Sequence, residues 1–179
     1  MAAGTAMLVV FGGLPGTGKT TLARRVARRL GATWLRIDTI EQALRSALAM
    51  ADDVGPAGYL IACAICETNL MLGRTVVADC VNPLPVTRAA WRDVAARTSS
   101  AIVEIEVICS DEAEHRRRVE SREIDIPGLI PPTWAAVMAR DYEPWSEPRM
   151  VVDTADMTIA EAELAIVDAI ERRSLSDAG

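Results

Sequence analysis

The stretch Gly12-Gly13-Leu14-Pro15-Gly16-Thr17-Gly18-Lys19-Thr20-Thr21 decides how the rest of the sequence is interpreted. Its residues from Gly13 to Thr20 read Gly-x-x-x-x-Gly-Lys-Thr, the pattern of a phosphate-binding loop. The apolar run Met7-Leu8-Val9-Val10-Phe11 leads into the loop and a helical pattern leaves it, which is the context that the motif requires. The alternative is an ordinary glycine-rich turn before a helix, and the combination of strand, lysine and threonine argues against it.

The residue types of this loop predict how it would hold a nucleoside triphosphate. Glycines let the backbone curve around phosphates with its N–H groups pointing inward, and the N-terminus of the next helix adds partial positive charge. Lys19 would reach the β- and γ-phosphates, and the Thr20 hydroxyl would bind Mg²⁺. The predicted nucleotide-binding residues of the loop are Gly13, Gly16, Thr17, Gly18, Lys19, Thr20 and Thr21.

Length and charge limit the possible classes of protein. A chain of 179 residues has room for one domain with a substantial core and is too short for two ordinary domains. We predict a single domain over residues 1–174 and a frayed tail at 175–179. The net charge of −6 argues against a general nucleic-acid or membrane-surface binder. No apolar run could cross a bilayer and the N-terminus lacks the basic segment of a signal peptide, so we expect a cytoplasmic protein.

The cysteines and the single histidine do not form a metal-binding pattern. Cys63 and Cys66 make an isolated Cys-x-x-Cys, and the second half of a zinc site is missing because the only histidine is His115. We interpret these cysteines, with Cys80 and Cys109, as small core residues in a reducing compartment. His115 lies in a charged helical segment and is predicted to be a surface residue.

Strand and helix patterns alternate after the loop. Further strands are predicted at 32–37, 75–79, 101–109 and 150–153, with helices between them. Residues 58–72 are apolar nearly all round, which indicates a buried helix. The alternation predicts an α/β domain with a parallel sheet and right-handed crossovers. Polar residues follow the strands, where ligands bind in such sheets.

Two aspartates follow predicted strands beside the loop. Asp79 could hold Mg²⁺, directly or through water, or contact the substrate, and its alternative role is that of a turn residue. Asp38 opens Asp38-Thr39-Ile40-Glu41, which would form a capping box for the next helix. A carboxylate at this position could also accept the proton of a hydroxyl that attacks the γ-phosphate. The two roles of Asp38 are compatible.

Three arginines are candidates for the site. Arg118 and Arg122 share one helix face, either as cations that favour a helix C-terminus or as ligands of adenine and of the transferring phosphate, respectively. The proline-rich segment 123–132 would then be a lid that excludes water. Arg88, nine residues after Asp79, would bind a polar or anionic group of the substrate or be exposed.

With these motifs the chain resembles the small P-loop kinases of the nucleoside-monophosphate-kinase-like group, over nearly its whole length. Val77-Ala78-Asp79, followed by Asn82 and Arg88, is similar to polynucleotide-kinase-like and zeta-toxin-like members. The stretch from Ile37 to Leu44 is similar to chloramphenicol phosphotransferase, where the aspartate at the position of Asp38 is the catalytic base. Tyr142-Glu143-Pro144 ahead of Val152-Asp153-Thr154 is similar to adenylylsulfate kinases.

The resemblance implies a three-layer P-loop NTPase fold, with five parallel strands in the order 2-3-1-4-5 and a small lid. It also implies that the loop after the last strand, including Thr154, meets adenine. The Asp-Gly-Asp pattern of adenylylsulfate kinases and the Asp-Gly-Phe-Pro-Arg pattern of adenylate kinases are absent, which argues against those two substrates.

The expected function is an ATP-dependent phosphotransferase that moves the γ-phosphate to a hydroxyl of a small molecule. Mg²⁺ would lie on Thr20 and Asp79, Arg118 and Arg122 would assist Lys19 in neutralising charge, and Asp38 would be the base. One alternative is a nucleotide-binding ATPase or regulatory module without transfer activity. Another is a polynucleotide 5′-hydroxyl kinase, against which the acidic net charge argues. Largely apolar helices at 40–50 and 58–72 indicate an acceptor with an apolar face, and the oligomeric state is not indicated.

Overall fold

One parallel sheet forms the centre of the protein in a computed structural model that describes residues 6–48 and 54–176. Its strands are β1 (Met7–Gly12), β2 (Thr33–Arg36), β3 (Val76–Asp79), β4 (Ala101–Ile108) and β5 (Met150–Asp153). Their order in the sheet is β2-β3-β1-β4-β5, and all neighbouring pairs are parallel. The predicted α/β class and the 2-3-1-4-5 order are therefore confirmed.

Helices connect the strands and cover the sheet. Those in the described part of the chain are α1 (Lys19–Leu30), α2 (Ile37–Leu48), α3 (Ala57–Met71), α4 (Pro85–Arg97), α5 (Glu112–Ser121), α6 (Trp134–Met138) and α7 (Ile159–Ser176). None of these helices is long and apolar enough to cross a lipid bilayer.

β1 is buried on both faces, which explains its uninterrupted apolar sequence. Phe11 belongs to a buried cluster with α1 and α7 on one side of the sheet. Val10 belongs to a second cluster with α3 and α4 on the other side. A strand covered by helices on both faces has no solvent side, so its residues are apolar at every position instead of alternating. The molecule thus has the three predicted layers.

The register of the sheet brings the carboxyl ends of three strands together. Asp79 at the end of β3 pairs with Phe11 of β1 on one side and with Arg36 of β2 on the other. The loop that follows β1 therefore begins beside Arg36 and Asp79. This edge of the sheet positions the candidate site.

The prediction that α3 is buried all round is wrong. Its residues Ala62, Cys66 and Leu70 are buried, whereas Leu60 and Met71 are 66% and 75% exposed. The inner face packs on the sheet and on its neighbouring helices, and no other described element covers the outer face. α3, although apolar on nearly all sides, is therefore not covered by other described elements on all sides.

Helix ends differ from the sequence prediction in two places. α2 begins at Ile37, directly after β2, so Asp38 lies in the first turn and not at the predicted N-cap. α7 continues to Ser176, and residues 177–179 of the predicted frayed tail lie outside the described residues. The sequence Asp52-Asp53-Val54-Gly55-Pro56 predicts a break between helices, and its first two residues also lie outside the described part of the chain. α1 ends before Gly31, as expected for a glycine that follows a helix; Gly31 adopts a left-handed φ of 61° and its N–H bonds to carbonyls of the last turn.

The four cysteine thiols are free. Cys66, Cys80 and Cys109 are buried, as predicted for core residues, and Cys63 is half-buried. Burial raises the pKa of the Cys66 thiol to about 12 and that of Cys63 to about 11. Both thiols therefore stay protonated at neutral pH and behave as small apolar groups.

Candidate active site

The predicted phosphate-binding loop, residues 13–18, connects β1 to α1 and is packed tightly from behind. A Cβ atom on Gly13 would lie 2.2 Å from the carbonyl oxygen of Val107, and one on Gly16 would lie 2.5 Å from Val119 Cγ2. Both glycines also have positive φ angles, 139° and 88°. Only glycine adopts these φ angles without strain and also leaves room for Val107 of β4 and Val119 of α5. The two glycines are therefore needed for packing against β4 and α5 as well as for the curvature of the loop.

Lys19, Thr20 and Asp79 meet where the loop enters α1. Lys19 is 7% exposed, and its Nζ lies 3.7 Å from Asp79 Oδ1. The Thr20 hydroxyl donates to the same oxygen at 3.2 Å. The other oxygen, Asp79 Oδ2, is buried and accepts no hydrogen bond from a described residue. Burial raises the pKa of the Asp79 carboxyl, and the ammonium of Lys19 opposes that rise.

Lys19 is also the only lysine in the sequence. The chain uses arginine for its other permanently charged cations, including those that border the site.

Arg36 is a member of the site that the sequence analysis missed. It is 7% exposed, and its Nη1 donates to both oxygens of Asp125, at 2.8 and 2.9 Å. Its Nη2 lies 4.0 Å from Asp38 Oδ2 and its Nε lies 4.0 Å from Asp79 Oδ2. The bonds from Arg36 lower the pKa of the Asp125 carboxyl. One guanidinium thus faces three carboxylates from three separate segments of the chain.

A weak signal for Arg36 existed in the sequence. It is a charged residue inside a predicted strand, immediately before the segment that contains Asp38. In a parallel sheet such a residue at a carboxyl end belongs to the ligand-binding edge. Its main partner, Asp125, is 89 positions away and could not be recognised from local pattern.

Arg118 and Thr154, both predicted to bind the nucleotide, are in contact. Arg118 Nη1 donates to the Thr154 hydroxyl at 2.7 Å, and Nη2 donates to its carbonyl at 3.1 Å. The same hydroxyl lies 2.8 Å from the carbonyl oxygen of Thr17 in the loop. Arg118 Nε also binds Glu114, and the pKa of that carboxyl falls to about 2 because Arg117 and Arg118 donate hydrogen bonds to it. Thr154 thereby ties the loop after β5 to the phosphate-binding loop.

Arg122 lies at the end of α5 and is half-buried. Among the described residues its guanidinium has no hydrogen bond and no ion pair, unlike that of Arg118. A planar cation with five free donors can bind phosphate oxygens without first breaking an internal contact.

Arg88 is neither exposed nor available to a substrate, so both alternatives for it are wrong. It is fully buried, at 0% exposure. Its guanidinium donates to four backbone carbonyls, those of Asn82, Pro83, Glu143 and Pro144. It also lies 4.3 Å from the centre of the Trp145 ring. Arg88 fastens the start of α4 to the loop before β5, and four of its five N–H donors are used in that role.

The prediction that His115 is a surface residue is also wrong. The ring is 6% exposed, and its Nε2 lies 2.8 Å from the carbonyl oxygen of Pro15 in the phosphate-binding loop. Trp134 of α6 packs against the ring edge-on, with centroids 5.1 Å apart. α5 is charged on its outer side, where Arg116 and Arg117 are exposed, while its inner side supports the loop.

Two cavities open at this edge of the sheet. The smaller has a volume of about 410 Å³ and is lined by residues including Leu14, Gly16, Gly18, Thr20, Thr21, Arg24, Arg36, Arg118 and Asp125. The larger has a volume of about 710 Å³ and is lined by residues including Ile37, Asp38, Glu41, Gln42, Arg45, Ser46, Tyr59, Leu129 and Arg140. Two residues, Lys19 and Arg122, line both cavities.

The predicted site residues divide between these cavities. Gly16, Gly18, Thr20, Thr21 and Arg118 border the smaller one, and Asp38 borders the larger one. Four other predicted residues lie behind these walls and shape them through contacts with the loop: Gly13, Thr17, Asp79 and Thr154. The structure therefore brings the predicted residues together, with the exception of Arg88.

Comparison with known proteins identifies relatives of this chain. The sequence profile of a family described as "AAA domain" matches residues 8–127. An uncharacterised protein of Mycobacterium tuberculosis (strain ATCC 25618 / H37Rv) is 36% identical over 112 residues, which are 56% of this chain and 22% of that protein. An uncharacterised protein of Mycobacterium bovis matches to the same extent. The chain spans about a fifth of the length of these curated relatives.

Solved structures share the fold at low sequence identity. The APS kinase of M. tuberculosis, solved in complex with AMPPNP and APS, has a TM-score of 0.68 at 20% identity, covering 93% of this chain and 98% of its own. A gluconokinase from Sinorhizobium meliloti has a TM-score of 0.65 at 17% identity, covering 97% and 95%. Kti12 from Chaetomium thermophilum, in complex with ADP-AlF3, has a TM-score of 0.65 at 22% identity, covering 91% and 98%. The fold of this chain is that of small P-loop kinases.

Proposed function

The chain belongs to the AAA domain family, and from this premise we propose that it is an ATP-dependent kinase for a hydroxyl group of a small molecule. One observation carries the proposal: two cavities adjoin each other at Lys19 and Arg122. Phosphoryl transfer requires a donor on one side of the migrating group and an acceptor on the other, roughly in line. Two cavities with a cationic boundary provide that arrangement.

The smaller cavity is the donor site in this proposal. The loop backbone and the N-terminus of α1 favour phosphate groups there. Its wall is strongly cationic, with five basic residues and two acidic ones. The basic residues are Lys19, Arg24, Arg36, Arg118 and Arg122, and the acidic ones are Glu123 and Asp125. Arg118 and Thr154 would lie beside the base of the nucleotide. The structures solved with AMPPNP and with ADP-AlF3 support this assignment, since those proteins have the same fold.

Thr20 and Asp79 suit a magnesium ion by their chemistry. Mg²⁺ prefers hard oxygen ligands, and a hydroxyl and a carboxylate converge here, with one buried Asp79 oxygen that accepts no hydrogen bond from any described residue. A cation beside Asp79 would favour the ionised carboxylate, against the effect of burial. Thr20 and Asp79 would hold the ion, and when bound it would neutralise negative charge on the phosphate groups.

The larger cavity is the acceptor site in this proposal. Asp38 lines it at the end near Arg36 and is one-third exposed, so its carboxylate is accessible to a hydroxyl in the cavity. Asp38 would take the proton of that hydroxyl while the oxygen forms a bond to the γ-phosphorus. The bond between that phosphorus and the bridging oxygen then breaks, and ADP leaves with the electron pair. Lys19 and Arg122 would neutralise the oxygens of the migrating group.

The segment 123–132 would serve as a lid over both cavities. Glu123 and Asp125 line the donor cavity, and Gly128 to Pro132 line the acceptor cavity. A single loop that borders both sites can exclude water from both when it closes.

The test compares Asp38→Asn with the unaltered protein in an assay for transfer of the γ-phosphate to an acceptor panel. We expect transfer to fall by about 10²-fold or more, because a general base typically contributes that factor, while ATP binding persists. The matched control is Asp93→Asn, which removes an exposed carboxylate on α4 away from both cavities.

The proposal fails if no acceptor is phosphorylated although ATP binds, since that outcome favours a nucleotide-binding module. Equal loss of transfer in the Asp38 and Asp93 variants would also remove the assignment of Asp38 as the base.

A further inference from the structure

One face of α2 forms a continuous polar wall of the acceptor cavity. Asp38, Glu41, Gln42, Arg45 and Ser46 all line it. Their spacing is i, i+3, i+4, i+7 and i+8, which places them on one side of a helix. At a rise of 1.5 Å per residue the wall is about 12 Å long from its first member to its last. In the described part of α2 this wall is mainly polar, contrary to the apolar helix wall expected from the sequence, because Ile40 packs against the buried cluster of α3 and α4 and only Ile37 contributes an apolar side chain.

The charges on the acceptor side balance. Lys19 and Arg122 lie at the boundary and would be neutralised by the phosphates of ATP. Beyond them the cavity has two acids and two guanidinium groups, those of Asp38, Glu41, Arg45 and Arg140. Arg45 lies 3.4 Å from Glu41 within α2, and Arg140 is exposed and screened by water. The cavity beyond Lys19 and Arg122 therefore has many hydrogen-bonding groups and no net formal charge.

A second wall of the cavity is apolar. It consists of Leu129, Ile130, Pro131 and Pro132 of the segment 123–132. The two walls approach each other at Gln42, whose Nε2 would lie 3.0 Å from a Cβ atom on Gly128. A ligand between them meets hydrogen-bonding groups along one edge and apolar side chains on another face. Ring systems with hydroxyl groups at their edges have this distribution of polarity.

Resting on the proposed kinase function, we propose that the acceptor is a neutral, hydroxyl-rich molecule about as long as two linked rings. It lies along α2, with the hydroxyl to be phosphorylated at Asp38. Further hydroxyls or amides bind Gln42 and Ser46, and the apolar ring faces pack on residues 129–132. Neutral disaccharides, glycosides and nucleosides belong to this class. The class excludes sugar acids, nucleotides and apolar alcohols.

The test uses matched probes with the full chain, ATP and Mg²⁺. Maltose is compared with glucose, phenyl glucoside with its acid phenyl glucuronide, and uridine with uridine monophosphate; cyclohexanol is the apolar alcohol. We expect a neutral two-ring probe to be phosphorylated with kcat/KM at least tenfold above its anionic counterpart, above glucose and above cyclohexanol. An anionic, single-ring or apolar probe as the best acceptor would overturn the assignment.

Variants of α2 test where the acceptor lies. Gln42→Leu and Ser46→Ala should raise KM for the best acceptor by about tenfold while changing kcat less than twofold, because both residues would bind parts of the acceptor other than the reacting hydroxyl. The control is Thr39→Ala, which alters an exposed residue of α2 that does not line the cavity and should leave both constants unchanged. An unchanged KM in both Gln42 and Ser46 variants would contradict the proposal.

The outcomes separate this inference from the kinase proposal. Preferential transfer to an anionic, single-ring or apolar probe refutes the acceptor class and leaves the kinase function standing. Binding of a neutral probe, detected by calorimetry and weakened in Gln42→Leu, without any transfer to any probe supports the acceptor class and refutes the kinase function. Absence of both binding and transfer for every probe, neutral, anionic and apolar, refutes both.

Discussion

The two cavities that meet at Lys19 and Arg122 are built in different ways. Much of the donor cavity comes from one short stretch of sequence, residues 14–24, whose own backbone conformation makes the phosphate site. The acceptor cavity is assembled from α2, α3, the segment after β3 and residues 128–140. A site that is made by local backbone geometry can be recognised as a motif. A site that is made by packing is specified only by the complete fold.

The sharpest way to test this comparison is to alter the boundary between the cavities. Arg122→Gln keeps a polar side chain and removes the cation that has no partner among the described residues. We expect kcat for transfer to fall by about 10²-fold, as for the loss of one donor that stabilises transition-state charge. Steady-state kinetics with ATP and the best acceptor provide the measurement. The control is Arg116→Gln, on the exposed side of α5, which should remain within twofold. Similar losses in the two variants would show that Arg122 is not at the point of transfer.

A second test concerns the local backbone geometry of the donor side. Gly16→Ala introduces a Cβ atom 2.5 Å from Val119 Cγ2 at a φ of 88°, whereas Gly73→Ala has a φ of 74° and no atom within 4 Å. Both variants strain the backbone, and only the first also causes a clash. We expect the free energy of unfolding to fall by about 1–3 kcal/mol more in Gly16→Ala, the usual cost of overpacking. Urea denaturation measures the difference. Equal losses would mean that the loop is not held tightly against α5.

The smallest expected effect is that of the ion pair between segment 123–132 and β2. Asp125→Asn weakens the bonds from Arg36, and the Asp125 side chain is 54% exposed, so we expect a loss of less than about 1 kcal/mol at neutral pH. The folded-state pKa of Asp125 is lowered, so the stabilisation is present above the unfolded-state pKa of about 4 and disappears as the pH falls through the lower, folded-state value.

This pH dependence is measured as the difference in unfolding free energy between the protein and Asp125→Asn, from pH 7 to pH 2.5. The exposed Asp156→Asn variant is the control. A difference that grows as the pH falls would have the wrong sign and would exclude the ion pair as its source.

The features that sequence analysis predicted well are those with a local physical cause. The alternation of apolar strands and amphipathic helices gives the α/β class, and the glycine–lysine–threonine pattern gives the loop. The order of the strands came from a family resemblance, because no periodicity specifies which strands are neighbours. Periodicity also does not show which elements pack beside a helix. The exposed outer side of α3 was therefore not predicted.

The residues that were misjudged depend on distant partners. Arg88 looked like a ligand or a surface residue, but the carbonyls that bind it include those of Glu143 and Pro144, which are more than fifty positions further along the chain. His115 lies in a charged segment, yet Pro15 is 100 positions before it. In each case the local sequence describes the exposed side of the helix, while the tertiary fold determines the role of the inward-facing residue.

Lys19 allows the protein to be modified chemically at a single side chain. Because it is the only lysine in the sequence, reagents that acylate primary amines have one side-chain target, and that target lies between the two cavities. Arginine guanidinium groups are inert to such reagents. Lys19 is only 7% exposed and lies beside Asp79, and we expect a nucleotide bound in the loop to slow its acylation further. The difference in acylation with and without nucleotide, counted by mass spectrometry apart from the α-amino group, would then report occupancy of the phosphate-binding loop. Nucleotide binding in the loop can thus be followed on the unaltered protein, without an engineered residue or a fluorescent group.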